Sequence, residues 1–268
     1  MKIGDYYYYI SENWIVKIII KLFGTIDLHS HIRLKPVINF LQHYLSKKSR
    51  KSIKILELGC GTGVCAFELN KISQKGKFNF DYTGIDVSSN LISISQKILK
   101  SVNVYNNRIK FICDDAINYL TTNNNFKVDI ILLVDIIEHI NEPERLLNLS
   151  NNLLNKDGII LVSVPTPLYP KYFGAKFHKE MGHLVEGYSL NSIVEMFNDI
   201  NCVMIFYNYN TGFIGKYGCY LYYKIFNTRK RVLQIIKWLL LMPFKYLDLI
   251  NNSKISCSLF AVFRKTHI

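Results

Sequence analysis

The densest chemistry in the chain lies in Glu57-Leu-Gly59-Cys-Gly61-Thr-Gly63, which closes an apolar run. Glycines at these positions let the backbone take positive φ and approach a ligand closely, so a bound molecule can rest directly on the loop. A dinucleotide fingerprint would want Gly or Ala where Val64 stands, and the spacing therefore argues against a pyrophosphate cradle. About twenty residues on, Asp86 ends a second apolar run. A carboxylate there can accept both hydroxyl hydrogens of a sugar, the plainer alternative being a helix N-cap. Further along, Val134-Asp135-Ile-Ile-Glu138-His139 ends another apolar run with three polar groups on one turn. An imidazole at that position could take a proton from a hydroxyl, and its plainer alternative is a structural histidine bonded to Glu or backbone. Asp135 and Glu138, at i and i+3, could share an oxygen-loving cation or form a solvated acidic turn. The turn is read as solvated, and no metal ligand is assigned. His178, His183 and Tyr188, in a loop rich in Tyr, Gly and His, are weaker candidates, read as surface groups.

These residues need a scaffold that gathers strand ends. From residue 53 to 165 short apolar runs, IKILEL, FDYTGIDV, RIKFICD, VDIILLV and GIILVSV, alternate with amphipathic stretches. The runs are almost continuously apolar, as strands covered on both faces must be, and the alternation predicts a parallel sheet with crossover helices. Ser88–Lys100 and Pro143–Leu154 read as helices, with Lys156-Asp-Gly158 turning into the fifth strand. Ser189 caps a helix from Leu190 to Asn198, and two further strands follow at Cys202–Tyr209 and Ile255–Arg264. The stretch between those strands holds Arg229-Lys-Arg231 ahead of VLQIIKWLLLMPFKYLDLI. Charges at Lys237, Lys245 and Asp248 and the proline at 243 exclude a spanning helix, whereas an interfacial helix over 229–250 or a lid or dimer helix both fit. Trp14, Ile15, Ile18, Ile19 and Leu22 share a helical face suited to core packing.

Composition narrows the class. With 268 residues, 49% of them hydrophobic, the chain can bury a sizeable core, which excludes a disordered protein. A net charge of +13 suits an anionic partner, nucleic acid or an acidic membrane surface, although the lysines are spread out and equally describe a solvated face. The six cysteines, scattered without CxxC or Cys/His spacing, exclude a zinc finger or disulfide framework. No signal peptide is recognisable, so a cytoplasmic chain is expected, one that could sit peripherally on the inner face of the membrane.

The EXGXGXG loop after a strand resembles motif I of class I S-adenosylmethionine-dependent methyltransferases, and the later segments keep the register. The resemblance implies cofactor contacts from Glu57, Gly59, Gly61 and Gly63, with Asp86 on the ribose. Phe111-Ile-Cys-Asp114-Asp115-Ala116 is similar to the motif that receives adenine, through Asp115 and Ala116, with Asp114 as the alternative register. Val134 matches the position beside the methionine moiety. VDIIEH, with Glu142-Pro143 and Lys156-Asp-Gly158, resembles the subgroup of ubiquinone-biosynthesis and small-molecule O-methyltransferases. In that subgroup the positions of Asp135, Glu138 and His139 are implicated in magnesium binding, and Arg33 matches an arginine that reaches the cofactor. The likeness covers roughly residues 30–210. It implies one α/β domain: an N-terminal helical cap (1–50), a cofactor-binding core (51–210) with a Rossmann-like, seven-stranded, mostly parallel sheet, a helical insertion (211–253), and a last strand (254–268). The implied function is methyl transfer from S-adenosylmethionine to a small or lipid-linked acceptor, with His139 as the catalytic base. A nucleic-acid methyltransferase fits the charge, yet no DPPY-like motif follows the fourth strand. A non-catalytic cofactor-binding scaffold is the reading from another class.

Overall fold

The computed structural model describes residues 28–47, 52–76, 78–222, 239–241 and 243–266, together with residues 14, 18 and 236. Residues 229–235, 237, 238 and 242 of the expected interfacial helix over 229–250, and most of the expected cap face at 14–22, lie outside the described residues. Chain order gives α1 (Leu28–Ser46), β1 (Ile53–Leu58), α2 (Val64–Gly76), β2 (Phe80–Asp86), α3 (Ser89–Ser101), β3 (Ile109–Cys113), α4 (Ala116–Thr122), β4 (Val128–Val134), a 3-10 turn (Ile137–His139), α5 (Pro143–Leu153) and β5 (Leu154–Pro165). Then come α6 (Tyr169–Phe173), α7 (Ala175–Glu180), α8 (Leu190–Asn198), β6 (Cys202–Asn210), α9 (Phe213–Tyr220), α10 (Phe244–Leu247) and β7 (Ser258–Lys265).

The seven strands run in the order β3-β2-β1-β4-β5-β7-β6, parallel from β3 to β5, with β7 antiparallel to both its neighbours. Strand alternation divides the core. Ile53 and Ile55 of β1 enter one apolar layer with α1, α2 and α3, while Leu56 and Leu58 enter the other with α4, α5 and α8. Helix starts follow local chemistry: the Ser88 hydroxyl accepts from Leu91 N–H, and Ser189 and Ser192 form a reciprocal capping box ahead of α8.

The sheet changes direction between β1 and β4: the chain leaves β1 toward β2 on one side and β4 toward β5 on the other. A crevice must open at their carboxyl ends, and ligands of open α/β sheets bind there. A third, smaller cluster roofs this end, joining Leu28 and Ile32 of α1 to Tyr169 and Phe173 of α6 and to Cys219, Leu241 and Cys257. Buried Lys216 holds the insertion to α6, its Nζ 3.6 Å from the Tyr172 ring centre and 5.4 Å from that of Phe213.

Within the stretch expected as an interfacial helix or as a lid or dimer helix, Leu241 is buried in this cluster, whereas Leu239 and Leu240 are exposed. Trp14 and Ile18, expected to pack in the core, are exposed. Among the described residues no helix is long and apolar enough to cross a membrane.

Candidate functional site

The loop after β1 is shaped by three left-handed glycines, Gly59 at φ 74°, Gly61 at 51° and Gly63 at 75°. Two of them are packed from behind: a Cβ on Gly59 would lie 3.1 Å from Ile136, and one on Gly63 would lie 2.9 Å from Phe111. A Cβ on Gly61 would meet nothing within 4 Å. The middle glycine therefore faces open space, as a ligand cradle must. Asp86 borders that space. Its Oδ2 accepts from Gly61 N–H and its Oδ1 from Ser88 N–H, both at 2.9 Å, so the end of β2 is locked to the loop. A carboxylate offers about four lone-pair directions, and these two bonds leave room for two sugar hydroxyls.

Glu57 is placed differently from the cofactor contact expected of it. It lies on the β1 face shared with Tyr82 and Cys65, is 3% exposed, and accepts a short hydrogen bond from the Tyr82 hydroxyl. Its carboxylate braces the loop from inside the core. Burial raises its pKa from 4.5 to about 7 against the opposing hydrogen bonds from Cys65 and Tyr82. Glu57 thus binds its proton more tightly folded than unfolded, and folding stability falls as pH rises from about 4.5 through about 7, by about 3 kcal/mol at full extent. Glu57→Gln is expected to remove this slope, so that its melting temperature relative to wild type improves between pH 5 and pH 8. Parallel melting curves across that range would contradict the assignment.

At the end of β3, Asp115 caps α4 by accepting from Asn118 N–H at 3.0 Å, while Asp114 accepts from Asp115 N–H and from the Asn118 side chain, each at 2.8 Å. Asp115, and not Asp114, lines a cavity of about 490 Å³ together with Ile117, Asn118 and His139. Ala116 is buried at the same corner. Half-buried Val134 ends β4, and the next residue, Asp135, takes a left-handed φ of 55° that an ordinary residue adopts only when its surroundings hold it there. The holder is Arg33. Its guanidinium, 2% exposed, forms an ion pair with Asp135 and lies 4.0 Å from Glu138. Arg33 comes from α1, a remote element that the sequence alone connects to this turn only through the family resemblance.

The turn itself corrects the solvated reading of Glu138, which is 0% exposed, its pKa raised by burial first and by neighbouring Asp135 second. His139 lies partly buried beside it. Its Nδ1 is 3.0 Å from the Gly182 carbonyl. A carbonyl only accepts, so Nδ1 carries the hydrogen and Nε2 keeps the lone pair. Burial lowers the His139 pKa, and it lowers that of His183 to about 3, so both rings are neutral at neutral pH. His178 and His183, expected as surface-loop groups, are drawn inward. His178 is buried, and the His183 ring centre lies 4.8 Å from that of His139 and 5.4 Å from that of Tyr169. The Tyr188 hydroxyl is 3.5 Å from the Ile137 carbonyl, a supporting position.

The arrangement is thus a glycine loop locked to the Asp86 carboxylate, together with a buried ion pair and neutral imidazoles at the turn after β4. Comparisons with known proteins bear on the family and the fold. The chain is 21% identical over 157 residues to the mitochondrial ubiquinone biosynthesis O-methyltransferase of Dictyostelium discoideum, a match covering 53% of this chain and 47% of that protein. It is 28% identical over 118 residues to the ubiquinone biosynthesis O-methyltransferase of Pelagibacter ubique, covering 44% of each. The chain therefore spans about half the length of the curated relatives it matches. The crystal structure of the plantazolicin methyltransferase BamL in complex with a triazolic desmethylPZN analog and S-adenosylhomocysteine (SAH) superposes with a TM-score of 0.60 at 17% identity, over 89% of this chain and 86% of BamL. Residues 30–205 match the methyltransferase domain as a family, from the helix that carries Arg33 to the sixth strand. With two thirds of its length inside that match and the sheet order, glycine loop and Asp86 in place, the chain belongs to the methyltransferase domain family.

Proposed function

We propose that this protein binds S-adenosylmethionine in the crevice at the ends of β1 and β4 and transfers its methyl group to a small or lipid-linked acceptor, at oxygen. The observation that carries the reading is the open space over Gly61 bordered by Asp86. Gly59, Gly61, Gly63, Asp86, Asp115, Ala116, Val134 and Arg33 hold the donor, with Glu57 bracing the loop from behind. The bound donor supplies an already activated sulfonium methyl, so the protein must mainly position the acceptor in line with it. His139 supplies the remaining step. With Nδ1 fixed on Gly182, its Nε2 takes the proton from the acceptor hydroxyl. Cap, core, insertion and last strand serve this chemistry as one domain. The two relatives, both ubiquinone biosynthesis O-methyltransferases, support oxygen as the acceptor atom. Feeding cells with and without the protein a trideuteromethyl donor, and comparing their lipid and polar extracts by mass spectrometry, tests the reading: a labelled small molecule or lipid that depends on the protein supports it, and labelled RNA or DNA would replace it with the nucleic-acid alternative.

Exposed Leu239, Leu240, Leu247, Leu249 and Ile250 favour a membrane-facing insertion. In this reading the protein works peripherally, on the cytoplasmic side. Each such side chain contributes about 1.5 to 3 kcal/mol when it leaves water. The double replacement of Leu239 and Leu240 by Ser is therefore expected to weaken sedimentation with anionic vesicles by 10-fold or more. Buried Leu241 is left untouched. Vesicle binding that is unchanged, or that disappears entirely with added salt, would contradict an apolar contact.

A further inference from the structure

Arg33 and Lys216 are the buried Lys/Arg side chains among the described residues, and the fold treats their charges differently. Arg33 is neutralised by Asp135, with Glu138 4.0 Å away. Lys216 of α9, 7% exposed, has neither an ion-pair partner nor a hydrogen-bond acceptor for its ammonium among the described residues. Asp248, which caps the same helix, is already spent: its Oδ2 accepts from Thr211 N–H and its Oδ1 from Gly212 and Gly215 N–H, each at 3.0 Å. Three rings surround the ammonium instead, with centres 3.6 Å (Tyr172), 5.4 Å (Phe213) and 5.8 Å (Tyr217) from Nζ. Ring faces attract a cation but do not replace the three acceptors its N–H groups had in water. A buried charge is otherwise paired, because an unpaired one forfeits its hydration without return. An ammonium so caged is a receptor for an oxyanion.

The cage stands at the carboxyl edge of the sheet. Cys257 joins the ends of β5 and β6 there, its carbonyl accepting from Thr166 N–H at 2.9 Å and its N–H donating to the Thr211 carbonyl at 3.0 Å. Burial raises the pKa of the Cys257 thiol, and Lys216 and Arg33 both pull it back, so the two cations flank one spot under the roof. Helix α6 leads from the cage toward the turn after β4. Tyr172 carries the ammonium, and the ring of Tyr169, one turn earlier, lies 5.4 Å from that of His183, itself 4.8 Å from that of His139. We propose that Lys216 anchors an oxyanion, a phosphate or carboxylate group, carried by the methyl acceptor away from the hydroxyl that reacts. The inference rests on the methyl-transfer reading and narrows its acceptor to an anionic molecule. Lys216 touches no reacting atom in this assignment and acts on acceptor affinity and orientation. As a point charge with three donors it takes either oxyanion, phosphate more strongly because it carries more charge.

Thermal unfolding of the full chain tests this without turnover. In sodium phosphate, against chloride at matched ionic strength, the melting temperature is expected to rise saturably, by about 3 °C or more at about ten times the Kd. Lys216→Met, whose flexible apolar side chain fills the same cage, should lose that rise. In chloride alone it should melt no lower than wild type, because an unpaired buried charge has gone, whereas a merely structural lysine would lower the melting temperature and leave the phosphate response intact. Lys110→Met, the same charge change at an exposed position of β3, should keep the response. Acetate distinguishes the two sources: a response to phosphate alone assigns a phosphate group, and an equal response to acetate a carboxylate. In cells fed the trideuteromethyl donor, the labelled product should be retained on an anion-exchange resin, fall at least 10-fold with Lys216→Met and recover in part with Lys216→Arg. Circular dichroism identifies any variant that fails to fold. SAH calorimetry on the same samples keeps the two readings apart: failure of methyl transfer shows as absent SAH binding, and failure of the anchor as a missing oxyanion response in protein that binds SAH. No response of the wild type to either anion, an undiminished response in folded Lys216→Met, or a neutral labelled product would overturn the proposal.

Discussion

Replacing His139 with Ala lowers the rate of methyl transfer by roughly 100-fold or more while leaving affinity for SAH essentially unchanged. The expectation rests on its hydrogen bond. Nδ1 is occupied by the Gly182 carbonyl at 3.0 Å, so the reactive lone pair is confined to Nε2, on a ring that burial keeps neutral. His139 is not among the residues proposed to hold the donor, so donor affinity should be retained in the variant. The loss should therefore fall on kcat, with the KM for S-adenosylmethionine constant. A purely structural histidine would show the opposite split, a lower melting temperature with full turnover in the surviving folded fraction, and wild-type turnover in His139→Ala would remove it from the chemistry.

Gly61→Val should weaken donor binding by roughly 100-fold in a protein that still folds. The two effects separate because of where the new side chain goes. A Cβ at this position meets no protein atom within 4 Å, so the core is not overpacked. The left-handed φ of 51° adds a strain of about 1 to 2 kcal/mol for a branched residue, tolerable for a domain of this size. The valine methyls then stand in the space assigned to the ligand, where an overlap of about 3 kcal/mol corresponds to a loss of roughly 100-fold in affinity. Asp86→Ala should act in the same direction and more mildly, by about 1.5 to 3 kcal/mol, the scale of hydrogen bonds to a charged group. A Gly61→Val protein that binds SAH normally would place the ligand elsewhere.

What the sequence disclosed and what it concealed divide along the range of the interactions involved. The strands, the Ser88 and Ser189 caps and the glycine loop follow from neighbours a few residues apart, and each was legible. Asp86 was legible because its distance along the chain from the loop is fixed by one helix. The turn at 135–139 was legible as a cluster of polar groups but not in its character: Glu138 became a buried carboxylate only because a loop more than forty residues later folds back on it and Arg33 reaches in from α1. The same folding-back turned His178 and His183 from loop residues into packed rings. Leu241 is buried while its neighbours Leu239 and Leu240 are exposed, which helical periodicity cannot tell, because it identifies a face without saying which neighbour covers it. Glu57 shows the same limit at close range, since strand alternation alone could have placed it beside Ile55 and away from the crevice.

The measurement that bears most directly on the central reading is titration calorimetry of the full chain with SAH. The account predicts one site per chain with Kd in the micromolar range, about −8 kcal/mol, weakened by Asp86→Ala and by roughly 100-fold in Gly61→Val. Absence of binding heat at about 1 mM ligand at two temperatures, or wild-type affinity in both variants, would contradict it.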